Sequence, residues 1–403
     1  MRSALAAVLT SCALALVACE KKASAPPAPP APAPGGGTAT APAGVGTPGV
    51  TADTILVGEV GSLTGSEATF GISTRNAIEL AIKEANAAGG VKGRKIEVRV
   101  YDNQSKPEEA ANAATRLINH DQVLLILGEV ASTNSIAMAT KAQPAKVPMI
   151  SNASTNPKVT EIGDYIFRVC FIDPFQGYVM AKFAHDNLKF TKVAVLRDLG
   201  SDYSQGLADV FERKFTEMGG KIVAGETYTK GSTDFRSQLT AIKRSQPDGI
   251  YIPGYYNDIG LIARQARELG ITAKLMGGDG GDSEKLFELG GAAVEGSYFS
   301  NHYSPDDPNP RIQKFIADYK AAYGAVPDAL AALGYDAALV AVDAMKRATS
   351  LDRAAVRDAI AATKHFPGVT GTITLDDKRN ATKPAVVLEV GKGKTKYVAT
   401  IAP

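Results

Sequence analysis

The sequence predicts an α/β protein of two lobes, each a mainly parallel sheet flanked by helices, and two observations carry that prediction. From residue 51 onward, short apolar runs of strand character alternate with amphipathic stretches, the βαβ pattern of a parallel sheet covered on both faces. The pattern runs once to about residue 171 and starts again near Pro174, so two such sheets follow one another.

Taken in order, ILVGEV precedes a helix over 76–88, KIEVRVY one over 107–119, and VLLILG one over 133–145, with VPMIS closing the first set. The second set reads as a helix over 175–188, VAVLR, a helix over 203–218, KIVAGE, a helix over 235–245, GIYI, a helix over 259–269, KLMGG, and a short helix from Ser283. Helices over 310–323, 329–348 and 352–361 have no strands between them and are assigned to pack back on the first sheet. The closing runs GTITL, AVVLEV and KYVATI are then assigned to the second lobe. This gives lobe 1 as 51–171 plus 302–369 and lobe 2 as 172–301 plus 370–403, with several strand connections forming a hinge.

The first fifty residues stand apart. Met1-Arg2 is a basic start, residues 4–18 form an apolar run too short to span a bilayer, and Leu16-Val17-Ala18-Cys19 ends it with small residues. Residues 1–18 therefore read as an export signal. The final tetrad looks like a bacterial lipobox, whose cysteine is acylated and heads the mature chain. Residues 20–50 are rich in Ala, Pro, Gly and Thr and have nothing with which to build a core. Stretched in polyproline II geometry such a spacer reaches roughly 90 Å. Only Cys19 and Cys170 remain after the signal, so a lipidated Cys19 leaves no intrachain disulfide, and Cys170, inside YIFRVCFI, reads as a small buried hydrophobe.

The charges, 44 basic against 42 acidic, are scattered along the chain, which argues against a nucleic-acid face or an anionic-membrane face. Catalytic and cofactor signals are weak. The first strand runs into Gly61-Ser62-Leu63-Thr64-Gly65 rather than a GxGxxG or GxxxxGK[ST] loop, and Gly391-Lys392-Gly393-Lys394-Thr395 fits a hairpin between two strands better than a phosphate loop. No GxSxG appears, and His120, His185, His302 and His365 lie away from the strand-end hydroxyls. HExxH, paired cysteines and Asp-rich calcium loops are missing, so no metal, no cofactor and no catalytic residue is assigned.

What the strand ends do offer is a set of groups suited to a small zwitterion. In open α/β sheets ligands bind beyond the carboxyl ends of the strands, where helix N-termini present free N–H groups. GEVASTNSI places Ser132 there, and Ser151-Asn152-Ala153-Ser154-Thr155-Asn156-Pro157 forms a second hydroxyl-rich junction. Hydroxyls and N–H groups at a helix start suit a carboxylate, and Asp279 at a later strand end suits an ammonium. Read singly, Ser132 and Thr155 are equally well helix caps and Asp279 a solvated loop residue.

SLTG with GISTRNAIELAIKEANAAGGVKGRKIEV, YDNQSKPEEAANAATRLI, GEVAS, ISNASTNP, FRVCFIDPFQG, DYSQGL, TDFRSQLTAIK, GYYNDIGLIARQARELGI and LMGGDGG, in this order over about residues 51–400, resemble the type I periplasmic solute-binding proteins of the leucine/isoleucine/valine-binding group. The resemblance implies a two-lobe type I fold that closes on an amino acid and feeds an ATP-driven importer through its membrane permease. It implies a monomer on the periplasmic or cell-surface side, which the lipobox-like tetrad ending in Cys19 would hold to a membrane as a lipoprotein. It assigns Ser132, the Ala153 carbonyl and Thr155 to the first lobe's half of the site. Tyr203, Tyr255 and Asp279 form the second lobe's half, and Phe70 borders the side-chain pocket. Asp279 stands where the best-known branched-chain receptor has a longer glutamate, so the ammonium must sit closer or be bridged by water. The same resemblance covers receptors for amides and aromatic acids and sensors that report to a membrane signalling protein. An α/β enzyme remains the reading from another class.

Overall fold

The computed structural model describes residues 46–403, so the expected signal segment, Cys19 and all but the last linker residues lie outside the described residues. The end of the linker is already tied to the fold. Val50 forms an antiparallel bridge with Ile55, and the Gly49 carbonyl accepts the Leu56 N–H at 2.7 Å.

Five parallel strands form the first sheet: β1 (Thr54–Gly61), β2 (Lys95–Asp102), β3 (Ile126–Leu127), β4 (Met149–Ser151) and β5 (Ile166–Arg168), in the order β2-β1-β3-β4-β5. The helices between them are α1 (Ala68–Ala87), α2 (Pro107–Asn119), α3 (Ser132–Ala142) and the short α4 (Lys158–Glu161). The bounds of α2 follow from its chemistry. Pro107 opens the helix where an N–H has no intrahelical partner, Glu108 and Glu109 face the positive end of the dipole, and Ala110, Ala113, Ala114, Leu117 and Ile118 form one buried stripe.

A second set follows: α5 (Asp173–Lys182), β6 (Lys192–Asp198), α6 (Asp202–Glu217), β7 (Lys221–Tyr228), α7 (Arg236–Ser245), β8 (Gly249–Tyr251), α8 (Tyr256–Glu268), β9 (Lys274–Gly277), α9 (Glu284–Gly290) and β10 (Tyr298–Asn301). The chain then returns to the first sheet with α10 (Pro310–Tyr323), α11 (Ala329–Arg347) and α12 (Arg353–Ala361). Helix α11 is buried on almost every side and lies along α1. They pack tightly at Gly334, where an added Cβ would stand 2.9 Å from the Thr74 carbonyl oxygen.

The last strands are β11 (Phe366–Gly368), β12 (Gly371–Ile373), β13 (Ala385–Gly391) and β14 (Lys394–Ile401). AVVLEV and KYVATI join the second sheet, whose order is β14-β13-β10-β9-β8-β6-β7, with β13 antiparallel to both neighbours. Lys392 and Gly393 make the tight turn between them at φ +46° and +74°, which is the hairpin read from GKGKT. GTITL does not join that sheet. β12 pairs only with β11, because the Asp336 carboxylate of α11 captures the Val369 and Thr370 N–H groups at 2.7 and 2.9 Å and holds this hairpin on the first sheet's helices. The chain thus passes between the two sheets three times, after β5, after β10 and before β13. Among the described residues no helix is long and apolar enough to cross a membrane.

Candidate ligand-binding cleft

The carboxyl ends of both sheets face one another, and the site is built from the loops that leave them. β3 ends at Gly128, whose φ is +108° and whose added Cβ would lie 2.2 Å from the Val60 carbonyl oxygen. The close approach that demands glycine is therefore to β1, not to a ligand. Glu129 follows, 1 % exposed, and organises the loop. Its carboxylate accepts the Ser62 hydroxyl at 2.8 Å and the Ala131 N–H at 2.6 Å, while its carbonyl receives the hydroxyls of Ser135 and Ser151 at 3.0 and 2.8 Å. Several of the hydroxyls legible in the sequence are spent on this framework.

Ser132 is not among them. It is the first residue of α3, the helix start has no side-chain cap, and the Ser132 Oγ accepts the Asn156 N–H at 3.3 Å, which joins the two hydroxyl-rich junctions. The helix-cap reading of Ser132 is thereby set aside. The second junction is held from behind by Arg168, fully buried, whose guanidinium donates to the Ser154 carbonyl and, at 2.7 Å, to the Asn156 carbonyl. Cys170 donates to the same Ser154 carbonyl at 3.3 Å, and burial pushes its thiol up to about 12, so it is an inert core group as its sequence context suggests. Thr155 is 1 % exposed, and its Oγ1 is enclosed without a well-formed hydrogen bond. Its carbonyl accepts the Asp173 N–H at 2.9 Å, and the Asp173 carboxyl is likewise enclosed, with only a weak approach of the Thr155 hydroxyl opposing the effect of burial.

From the second sheet, Asp279 follows β9, 4 % exposed. Oδ1 accepts the Gln176 Nε2 at 2.8 Å and the Tyr203 hydroxyl at 2.9 Å, and Oδ2 lies 2.9 Å from His302 Nε2. The flanking glycines make room for this arrangement. An added Cβ at Gly278 would meet the Tyr203 hydroxyl at 2.3 Å, and one at Gly280 would meet the Gly254 carbonyl at 2.5 Å. Tyr203 and Tyr255 stack with centroids 5.3 Å apart, and Phe70 of α1 meets Tyr255 edge-on at 5.5 Å across the cleft.

Phe70, Ala153, Tyr203, Tyr255 and Asp279 line a single cavity of about 10 Å³ together with Val130, Gly280 and Leu330, whereas Ser132, at the start of α3, and Thr155, in the loop after β4, do not line it. A far larger groove, about 650 Å³, lies between α1 and β2 and contains none of these residues. The size of the cleft cavity reflects how firmly its sides are drawn together. Asp202, at the start of α6, accepts the Thr133 hydroxyl at 3.2 Å and Lys158 at 3.0 Å, and its carbonyl accepts Asn156 at 2.7 Å. Tyr256 donates to the Ser66 carbonyl at 2.8 Å, Thr69 meets Ser283 at 3.0 Å, and Lys230 pairs with the buried Glu67. Room for about one water admits no larger solute until these contacts part.

Val130, Glu129, Asp202, Leu330 and His302 were not legible as site residues. His302, expected only to lie away from the strand-end hydroxyls, stands against the Asp279 carboxylate.

Buried acids give the protein a defined response to pH. Burial raises Glu67 and Asp258 to about 7 and Glu59 and Asp173 to about 8. An acid that holds its proton more tightly when folded binds more protons in the native than in the unfolded chain, so stability falls as pH rises through that window. Thermal melts are expected to show a midpoint that declines from pH 5 to pH 8, and a rising midpoint over this range contradicts these assignments.

The sequence profile of the periplasmic binding protein family matches residues 54–395, and the chain belongs to that family. It is 33% identical over 349 residues, 86% of this chain and 93% of its relative, to the Leu/Ile/Val-binding protein homolog 2 of Brucella abortus (strain 2308). Among solved structures, the leucine binding protein LivK of Thermotoga maritima is 44% identical with a TM-score of 0.83, covering 86% of this chain and 99% of that one. The branched-chain amino acid transporter substrate binding protein LivJ of Streptococcus pneumoniae, in complex with isoleucine, is 34% identical at the same TM-score of 0.83, covering 87% of this chain and 100% of that one.

Proposed function

We propose that this protein is an extracytoplasmic receptor that binds a free amino acid, of the leucine, isoleucine and valine class, between its two lobes and delivers it to an ATP-driven importer. The observation that carries this reading is the single cavity in which Asp279 from one sheet faces Ala153 and Phe70 from the other. In this reading Asp279 and the Ala153 carbonyl accept the ammonium, and Ser132 and Thr155, with the free N–H groups at the start of α3, take the carboxylate. Phe70 and Tyr255, with Val130 and Leu330, border the apolar side chain. Tyr203 acts through Asp279. The enclosed Thr155 Oγ1 makes no well-formed hydrogen bond beyond a weak approach to the Asp173 carboxyl, and a ligand carboxylate would satisfy it.

The names of the similar proteins, leucine-binding, Leu/Ile/Val-binding and isoleucine-complexed, support the ligand class. In this reading the lobes divide at the three crossings between the sheets, near residues 171, 301 and 374–384, and closing across them is the work the protein does. No turnover accompanies it. Cys19 carries a lipid anchor, and residues 20–45 serve as the spacer between it and the folded receptor.

Calorimetric titration of leucine, isoleucine, valine, phenylalanine and alanine tests the ligand class, with recovery of unchanged ligand after prolonged incubation testing the absence of turnover. The branched chains should bind most tightly. Ser132→Ala, which removes one hydrogen bond to a charged group, should weaken the best of them by roughly 1.5–3 kcal/mol without lowering the melting point much. Equal affinity for all five, or for none, rejects the assignment.

A further inference from the structure

Asp279 is held by donors from three separate parts of the chain. Gln176 comes from α5, Tyr203 from α6, and His302 from the crossing that follows β10. A carboxylate offers about four lone-pair sites. Oδ1 receives two donors and Oδ2 one, so a single site, on Oδ2, remains for a ligand.

We propose that His302 is a positioning residue that fixes Asp279 Oδ2 for the ligand's ammonium and so makes the site selective for an amine-bearing solute. The proposal rests on the amino-acid reading given above. The geometry of His302 leaves it little other freedom. Its side chain is fully enclosed, its ring stacks on Phe171 at 3.8 Å between centroids and 22° between planes, and its backbone N–H donates to the Asn301 side chain at 2.9 Å. Phe171 itself lies on the crossing after β5. The imidazole is therefore fixed between two of the three connections that join the sheets, and Asp279 is fixed to them through it.

The protonation state follows from the surroundings. Nδ1 is enclosed with no hydrogen-bond partner, which suits a neutral ring donating from Nε2, since a charged ring would bury a second N–H unpaired. Burial also pushes the ring down to about 4, opposed by Asp279 and assisted by the buried Lys383. A neutral His302 orients the carboxylate without neutralising it, so the full negative charge of Asp279 is left to meet an ammonium.

The test compares leucine with 4-methylpentanoate, which lacks only the amino group, on the full mature chain and on His302→Leu, His302→Gln and His302→Asn. His302→Leu should lower leucine affinity by about 10- to 100-fold, the worth of one hydrogen bond to a charged group, and should change 4-methylpentanoate affinity by less than about threefold. His302→Gln, long enough to place an N–H where Nε2 stands, should recover most of the leucine affinity. His302→Asn, one methylene shorter, should not. Equal losses for both ligands make His302 a merely structural residue, and an unchanged leucine affinity in His302→Leu removes it from the site. If His302→Leu fails to fold, the Gln and Asn variants decide alone, and equal leucine affinities for the two overturn the proposal. A parent protein that binds 4-methylpentanoate but not leucine overturns the amino-acid reading itself.

Discussion

Replacing Asp279 by alanine is expected to lower leucine affinity by about 2–5 kcal/mol, roughly 30- to several-thousand-fold. The size of the effect comes from burial. Asp279 is 4 % exposed in the closed cleft, so an ammonium bound there is cut off from water and has no solvent to replace a lost acceptor. The donors left behind suffer as well. Gln176 Nε2, the Tyr203 hydroxyl and His302 Nε2 all converge on this carboxylate, and its removal leaves three buried N–H or O–H groups to find other partners. Asp279→Asn separates the two contributions, because its amide keeps an acceptor for some of these donors but carries no charge for the ligand. Both variants should lose binding with intact far-ultraviolet circular dichroism. A loss below about tenfold in Asp279→Ala would mean that the ammonium is held elsewhere.

Replacing Asp336 by alanine should cost about 3–5 kcal/mol of stability, the largest loss expected from a residue outside the cleft. Asp336 is fully buried on α11 and receives three donors: the Val369 N–H at 2.7 Å, the Thr370 N–H at 2.9 Å and the Thr370 hydroxyl at 2.6 Å. Lys383, 2 % exposed, donates to that same hydroxyl at 2.6 Å. Burial lowers Lys383 to about 8, and the charge of Asp336 is the main force opposing that shift. Without Asp336 the ammonium is left buried and uncompensated, and the lysine sheds its proton or the third crossing between the sheets comes loose. Urea unfolding should show a lower midpoint with an unchanged slope. A shift smaller than about 1 kcal/mol would show that Thr370 and Lys383 hold this crossing without the carboxylate.

How much of this was legible in the sequence depended on whether the signal was local. Helices α2 and α10 were readable to the residue because each opens with proline at its first position, and α10 is closed by Gly324 at φ +78° after an Asn309 side chain that accepts the Arg311 N–H. The start of α1 was not. ATFGISTR lacks a three-four apolar repeat, and its buried residues Phe70, Gly71 and Thr74 face the cleft, the Ser62 backbone and α11 rather than one core stripe. GTITL reads as a sheet strand by composition, yet Asp336, more than thirty positions earlier, decides where it goes.

The candidate site divides the same way. Phe70, Ala153, Tyr203, Tyr255 and Asp279 were placed by phrases whose order along the chain resembles a known family, and all five meet at one cavity. His302 was passed over because a lone histidine 23 positions from Asp279 carries no spacing signal, and only the packing of the second crossing brings the two together. Glu129 and Asp202 were missed for a related reason. Their partners are backbone groups and residues of other loops, which no local pattern displays.

The central claim is that the cleft recognises both charges of a free amino acid at once. Calorimetric titration of the unmodified protein with leucine, 4-methylpentanoate and 3-methylbutylamine tests it most directly, since the analogues share the branched chain and each lacks one charged group. Leucine should bind at least about 30-fold more tightly than either analogue, the smallest effect expected when one partner of a buried charged contact is removed. Equal affinity for leucine and for either analogue would contradict the claim.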